Sequence, residues 1–156
     1  DKFRVNNVNI NLQSQSFQSK FHQDSLFNFS FNNIDKFVIN NKVYKNFYYK
    51  ETNRIYEIIY DAPEYSLLKG HKVNLVEGSA NPMLNRKTDR YVQKHGYYIK
   101  NEKEIKNFKP SKKNITKLLG LDKSGADKMA QYAKANGLSF KNVEELKRIL
   151  AFARSL

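Results

Sequence analysis

The sequence predicts an α+β protein. An antiparallel β-rich unit, a small sandwich or an open barrel, fills residues 1–100, and three short helices follow in residues 101–156. Three observations predict it. Through residue 100, apolar residues recur with period two in short runs separated by turn-forming residues. From Ser111 onward the apolar spacing becomes helical. Gly120 and Gly137 then cut the helical stretch into three pieces.

The strands are read in order. Phe3 and Val5, then Val8, Ile10 and Leu12, alternate on either side of Asn6-Asn7. From Leu26 the chain alternates so that Phe27, Phe29 and Phe31 would share one buried face. Phe37-Val38-Ile39 and Val43-Tyr44 flank Asn40-Asn41, a pair that tolerates positive φ and predicts a hairpin turn. Phe47-Tyr48-Tyr49 and the run from Ile55 to Tyr60 flank a turn at Glu51-Thr52-Asn53. Tyr65 to Leu68 and Val73 to Val76 flank Gly70-His71. Arg90 to Val92 and Tyr97 to Ile99 form a last hairpin around His95-Gly96. Between these lies Gly78 to Thr88, whose Gly, Ser, Asn and Pro content predicts a long exposed loop.

Pro110 ends the β-rich part. Ser111 caps a first helix carrying Ile115, Leu118 and Leu119, with Gly120 as its terminator. A second helix starts near Asp122 or Ser124 and places Ala126, Met129, Ala130 and Ala133 on one face, to end at Gly137. Asn142 followed by Glu145 is a capping-box arrangement opening a third helix with Val143, Leu146, Ile149, Leu150 and Ala153 in one stripe. These helices carry too little apolar surface to stand alone, so they are expected to pack on the sheet or on each other.

Composition narrows the chemistry. There are no cysteines, which excludes disulfides, thiolate nucleophiles and Cys-based zinc sites. The histidines His22, His71 and His95 are far apart in sequence, with no carboxylate at ligand-like spacing. No nucleotide-binding glycine motif or nucleophile elbow is present. No catalytic, cofactor or metal residue is therefore assigned, and a non-enzymatic protein is expected. No apolar run is long enough for a membrane helix. The chain begins at Asp1 rather than Met, so a leader removed by processing is expected.

The formal net charge is +13, which favours acidic partners. Abundant Asn and Lys also arise in AT-rich genomes without any functional selection. Lys100, Lys103, Lys106, Lys109 and Lys112 recur every third residue, with Lys113 and Lys117 following. Next to Tyr97, Tyr98 and Phe108, such a stripe could contact phosphates and stack a base, although Glu102 and Glu104 interrupt it. The stretch Leu118-Leu119-Gly120-Leu121-Asp122, with Ala126 and Asn136-Gly137-Leu138-Ser139-Phe140 after it, is similar to a helix-hairpin-helix. Asp122 stands where that motif has its second glycine. That resemblance implies an alternative function as a nucleic-acid-binding protein, with Lys112, Lys113 and Lys117 as phosphate-binding residues.

A second resemblance covers more of the chain. Tyr65 to Lys69, Asp89 to Val92, Tyr97 to Ile99, Ile115 to Gly120, Asn136 to Phe140 and Glu144-Glu145-Leu146 occur in that order. This series resembles a group of largely uncharacterised exported proteins of Bacteroidota, with a β-rich part and a Lys-rich C-terminal helical block. The resemblance implies the periplasm or cell envelope as location and transfers no active site. With the lack of catalytic groups, it leads to the expectation of an accessory or scaffold subunit of a periplasmic or outer-membrane assembly. Its partners would be an envelope protein complex, including an outer-membrane protein. The expected contact surface combines the aromatic strand Phe47, Tyr48 and Tyr49 with Asn81, Pro82, Met83 and Arg86 of the long loop, since Tyr and Arg are favoured at interfaces.

Overall fold

The computed structural model describes residues 2–22, 25–32, 34–79, 83 and 88–156. The chain is α+β: two antiparallel sheets precede three C-terminal helices, and neither sheet closes into a barrel. The strands are β1 (Val8–Asn11), β2 (Ser16–His22), β3 (Ser25–Asn28), β4 (Phe37–Ile39), β5 (Lys42–Tyr49), β6 (Thr52–Asp61), β7 (Ser66–Val76), β8 (Arg90–Lys100) and β9 (Ile105–Phe108). The helices are α1 (Lys112–Leu119), α2 (Lys123–Ala135) and α3 (Val143–Ala153). The first sheet has the order β1-β2-β3 and the second β4-β5-β6-β7-β8-β9. Every neighbour in a sheet is also a neighbour in sequence, so no crossover connection is needed.

The chain forms two compact units, residues 1–58 with 69–96, and residues 59–68 with 97–156. The division falls inside β6, β7 and β8 rather than at residue 100, where the sequence reading put it. The reason is burial. The helical stripes need apolar strand residues to pack on, and the second unit takes them from the ends of these strands and from β9.

In the first unit, two hairpins close on two-residue turns whose central residues both have positive φ. Asn40 and Asn41 adopt 49° and 62°, as the sequence predicts. The other turn is Lys50-Glu51, at 52° and 61°. Thr52 and Asn53, read as turn residues, belong to β6. Lys and Glu do not favour this conformation, so the pairing from Val43↔Ile58 to Tyr49↔Thr52 sets the register, not the local turn preference.

The small sheet corrects another expectation. Its buried aromatic is Phe17, 0% exposed, on a strand the sequence reading passed over because Ser, Gln and Lys surround it. Phe17 stacks on Phe37 with ring centroids 3.8 Å apart, and meets Phe31 and Tyr44 edge-on at 6.0 and 6.5 Å. Phe27, expected to be buried, is 55% exposed because β3 is an edge strand. The Gln15 side chain adds a polar tie. Its carbonyl accepts the Ile55 N–H at 2.9 Å, and its amide donates to the His71 carbonyl at 3.2 Å.

Gly70-His71 and His95-Gly96 also differ from expectation: both lie inside uninterrupted strands. β7 and β8 each have a strand on both sides, so ladder bonds override the local turn preference. Gly78 lies two residues beyond the end of β7. Its N–H donates to Asp89 Oδ1 at 2.7 Å, and a Cβ there would lie 3.1 Å from the Thr88 backbone. A side chain at residue 78 would force the backbone there away from Thr88.

The second unit follows the helical reading closely. Ser111 Oγ accepts from Asn114 N–H, and Gly120 ends α1 at φ 62°. Asp122 caps α2 through the Gly125 N–H at 2.7 Å. Asn142 Oδ1 accepts from the N–H groups of Glu144 and Glu145 to open α3. The core joins Ile59 and Leu67 of the strands to Ile115, Met129, Ala133, Leu146, Ile149, Leu150 and Ala153 of the helices. Tyr97, Ile99 and Phe108 pack at its margin, and Tyr132 and Phe152 stack nearly parallel at 4.0 Å. Because Ile149 is fully buried in this core, Ile149→Ala is expected to cost about 3 kcal/mol of stability, read by urea denaturation. A loss below about 1 kcal/mol would mean that the site is not closed.

Candidate functional site

β6 carries the run Ile55-Tyr56-Glu57-Ile58-Ile59, in which one carboxylate interrupts an otherwise apolar and aromatic stretch. Ile55, Tyr56 and Glu57 are all buried, so the strand is covered on both faces there. The Glu57 side chain is only 5% exposed. Burying a carboxylate requires compensating charge. Lys42 Nζ lies 3.6 Å from Glu57 Oε1, and His71 Nε2 lies 3.8 Å from Oε2. The latter is an ion contact longer than a hydrogen bond, and Oε2 has no hydrogen-bond donor among the described residues.

The register explains the convergence. Tyr44 of β5 pairs directly with Glu57, and Lys42 lies two residues before Tyr44 on the same face. His71 comes from the neighbouring β7. Gln93 of β8 then reaches the far side of the imidazole, its Nε2 standing 3.2 Å from His71 Nδ1. The amide nitrogen can only donate, so Nδ1 accepts. In the neutral ring this places the proton on Nε2, facing Glu57. The ring of His95 lies 6.1 Å from that of His71.

The electrostatics follow from this layout. The His71 imidazole facing Glu57 is the main influence holding its carboxyl below the usual carboxylate range. Burial pushes the other way, and the charges of Lys42, Lys69 and His71 add to the lowering. Burial raises the Tyr44 hydroxyl, and the Glu57 charge raises it further. In the second unit, burial pushes Tyr65 up to about 12, with Tyr60 adding to the effect and Arg154 opposing it.

A carboxylate–imidazole pair activates a nucleophile when the second ring nitrogen faces the group to be deprotonated. Here Gln93 occupies that nitrogen. The arrangement orients His71 towards Glu57. No cluster of three or more His, Cys, Asp or Glu side chains able to hold a metal occurs among the described residues. The sequence places Gly70-His71 at a turn and does not display its meeting with Glu57. One signal was available: a lone Glu within an apolar run needs a counter-charge.

Of the expected contact residues, Phe47, Tyr48, Tyr49 and Met83 fall among the described ones. Tyr48, near the tip of the β5–β6 hairpin, is 71% exposed. Phe47 is half-buried, its ring 6.0 Å from that of Tyr56. Tyr49 is half-buried under Lys50, whose Nζ lies 5.5 Å from the ring centroid. Tyr48 therefore faces away from both, as alternation requires. At the base of that face, Asn46 Nδ2 donates to Asn53 Oδ1 at 3.0 Å. Met83 is 93% exposed. Asn81, Pro82 and Arg86 lie outside the described residues.

The lysines expected to form a stripe are spread over different elements. Lys100 ends β8, Lys106 lies in β9 beside Glu104, and Lys109 falls between β9 and α1. Lys112, Lys113 and Lys117 lie on α1, and Lys112 pairs with Asp127 of α2 at 3.3 Å. A three-residue spacing that passes from strand to helix does not keep to one face. At the start of α2, the Asp122 carboxylate takes the N–H that a helix-hairpin-helix would offer to phosphate. Compared with protein-family models, with curated proteins and with solved structures, the chain matches none.

Because the folded-state value of Glu57 is depressed, its charge stabilises the protein above the unfolded carboxylate value, about 4.3, and that contribution is lost as pH falls through the folded value. Glu57→Gln is therefore expected to cost about 2 kcal/mol at neutral pH, with the difference from the unaltered protein shrinking as the medium is acidified below the unfolded value. Urea denaturation at pH 7 and pH 3 reads this. A cost that is the same at both pH values would assign the loss to shape rather than to charge.

Proposed function

We propose that this chain is a non-enzymatic accessory or scaffold subunit of a periplasmic or outer-membrane assembly, acting through protein–protein contact. The observation that carries the proposal is Tyr48. A large aromatic side chain stands in solvent on a hairpin whose register is fixed over seven residue pairs. Displaying a tyrosine on a rigid strand costs little conformational entropy on binding, which is why such residues anchor interfaces. Met83 adds a second exposed apolar side chain.

Two further points support the reading. The second ring nitrogen of His71, beside the buried Glu57 carboxylate, is contacted by Gln93, which fits a structural role better than a chemical one. The envelope location rests on the sequence resemblance to exported proteins with a β-rich part and a Lys-rich helical block. Within the reading, Tyr48 is the anchor, Met83 an auxiliary contact, and Phe47 supports the strand from its other face.

Co-purification of the tagged chain from native membranes tests this. A stable partner is expected, and Tyr48→Ser should weaken its capture by roughly tenfold or more while leaving thermal stability nearly unchanged. A chain that is recovered alone and monomeric from every membrane preparation would sink the proposal.

A further inference from the structure

β9 is the last strand of the six-stranded sheet, with β8 on one side and no strand on the other. Which of its backbone groups face outward follows from the hairpin. Asn101 N–H donates to the Glu104 carbonyl at 3.1 Å, so these two form a hydrogen-bonded pair. Bonded and non-bonded pairs alternate in an antiparallel ladder. In the observed register the bonded pairs are then Ile99↔Lys106 and Tyr97↔Phe108. Ile105 and Asn107 fall at the non-bonded positions, and their N–H and C=O groups point away from β8. Among the described residues, neither backbone takes part in another hydrogen bond. Asn107 is exposed and Ile105 half-buried.

The surroundings of this edge are basic. Residues 100–113 hold six lysines against two glutamates. Glu104 is already engaged by Lys106, while Lys103, Lys109 and Lys113 are exposed. Two copies of this edge placed side by side would bring the same lysines together, and like charges across a strand pair repel. Lysine on an edge strand is a known guard against such self-pairing. The same charge attracts an acidic strand. An extended acidic segment could take the outward groups of Ile105 and Asn107 and lay its carboxylates beside Lys103 and Lys109.

We infer that the outer edge of β9 is a strand-addition site for an extended acidic segment of a partner protein. This deepens the protein-contact reading by naming the partner's chemistry at a second surface, in the other unit from Tyr48. The backbone pairs supply affinity, and the lysines select the sign of the charge.

The test uses the full chain, labelled for amide NMR and hydrogen exchange, and a short synthetic peptide alternating Glu with Val. A peptide alternating Lys with Val is the control. The acidic peptide is expected to slow exchange at the Ile105 and Asn107 amides, and the basic one to leave them unchanged. Asn107→Pro removes one outward N–H without touching a β8–β9 bond and should weaken acidic-peptide binding about tenfold or more. Lys103→Glu with Lys109→Glu should weaken it as well, which keeps the proposal testable if the proline variant folds poorly. Unchanged exchange at both amides with millimolar acidic peptide would overturn the proposal. So would equal protection by both peptides, protection by an oligodeoxynucleotide and not by the acidic peptide, or self-association of the chain through this edge. Tyr48→Ser should leave peptide binding at β9 intact, so the two surfaces stand or fall separately.

Discussion

One negative charge governs how the first unit is built. Glu57 lies in a strand whose flanking residues are apolar or aromatic, and it is nearly out of contact with water. A carboxylate in that position is tolerable only where positively charged or N–H-bearing groups from neighbouring strands reach it. β5 supplies Lys42, and β7 supplies His71, which β8 holds in place through Gln93. The small sheet contributes Phe17, packed on Phe37 and Tyr44, and Gln15, which ties Ile55 to the His71 carbonyl. Three strands of the large sheet thus converge on Glu57, and a turn of the small sheet ties Ile55, two residues before it.

This convergence explains which parts of the fold were legible in the sequence. The helices announce themselves locally. Ser111, Gly120, Asp122, Asn142 and the apolar stripes act within a turn or two of chain, and every helix lies where those signals put it. The strands do not. Gly70-His71 and His95-Gly96 carry turn chemistry, yet partners on both sides hold them extended. β2 carries few apolar residues and is held as a strand by pairing on both sides. Lys50-Glu51 turns where its own residues would not choose to, because the ladder behind it fixes the register. Where long-range pairing decides, local preference is a poor guide.

The candidate sites divide along the same line. The exposure of Tyr48 follows from strand alternation, which a sequence displays directly. The meeting of Glu57 with His71 and Gln93 depends on the register of three strands, which it does not display. The lysine series is hard to place from sequence for a related reason. A regular spacing has geometric meaning only within one type of secondary structure, and this one passes from strand through connector to helix.

The interleaving of the two units has a consequence for modularity. The second unit draws on residues 59–68 and then on nothing until residue 97. Its core needs Ile59 and Leu67 together with α3, whose last residue lies close to the end of the chain. During synthesis the early strands must therefore wait, with these two apolar residues uncovered, until the third helix emerges from the ribosome. Nor can the helices be moved to another protein as a self-sufficient cassette, because part of their core is encoded ahead of the segment that completes the first unit. A cut at residue 100 would divide the sequence where its composition changes, leave the whole of the first unit on one product and split the second unit between the two.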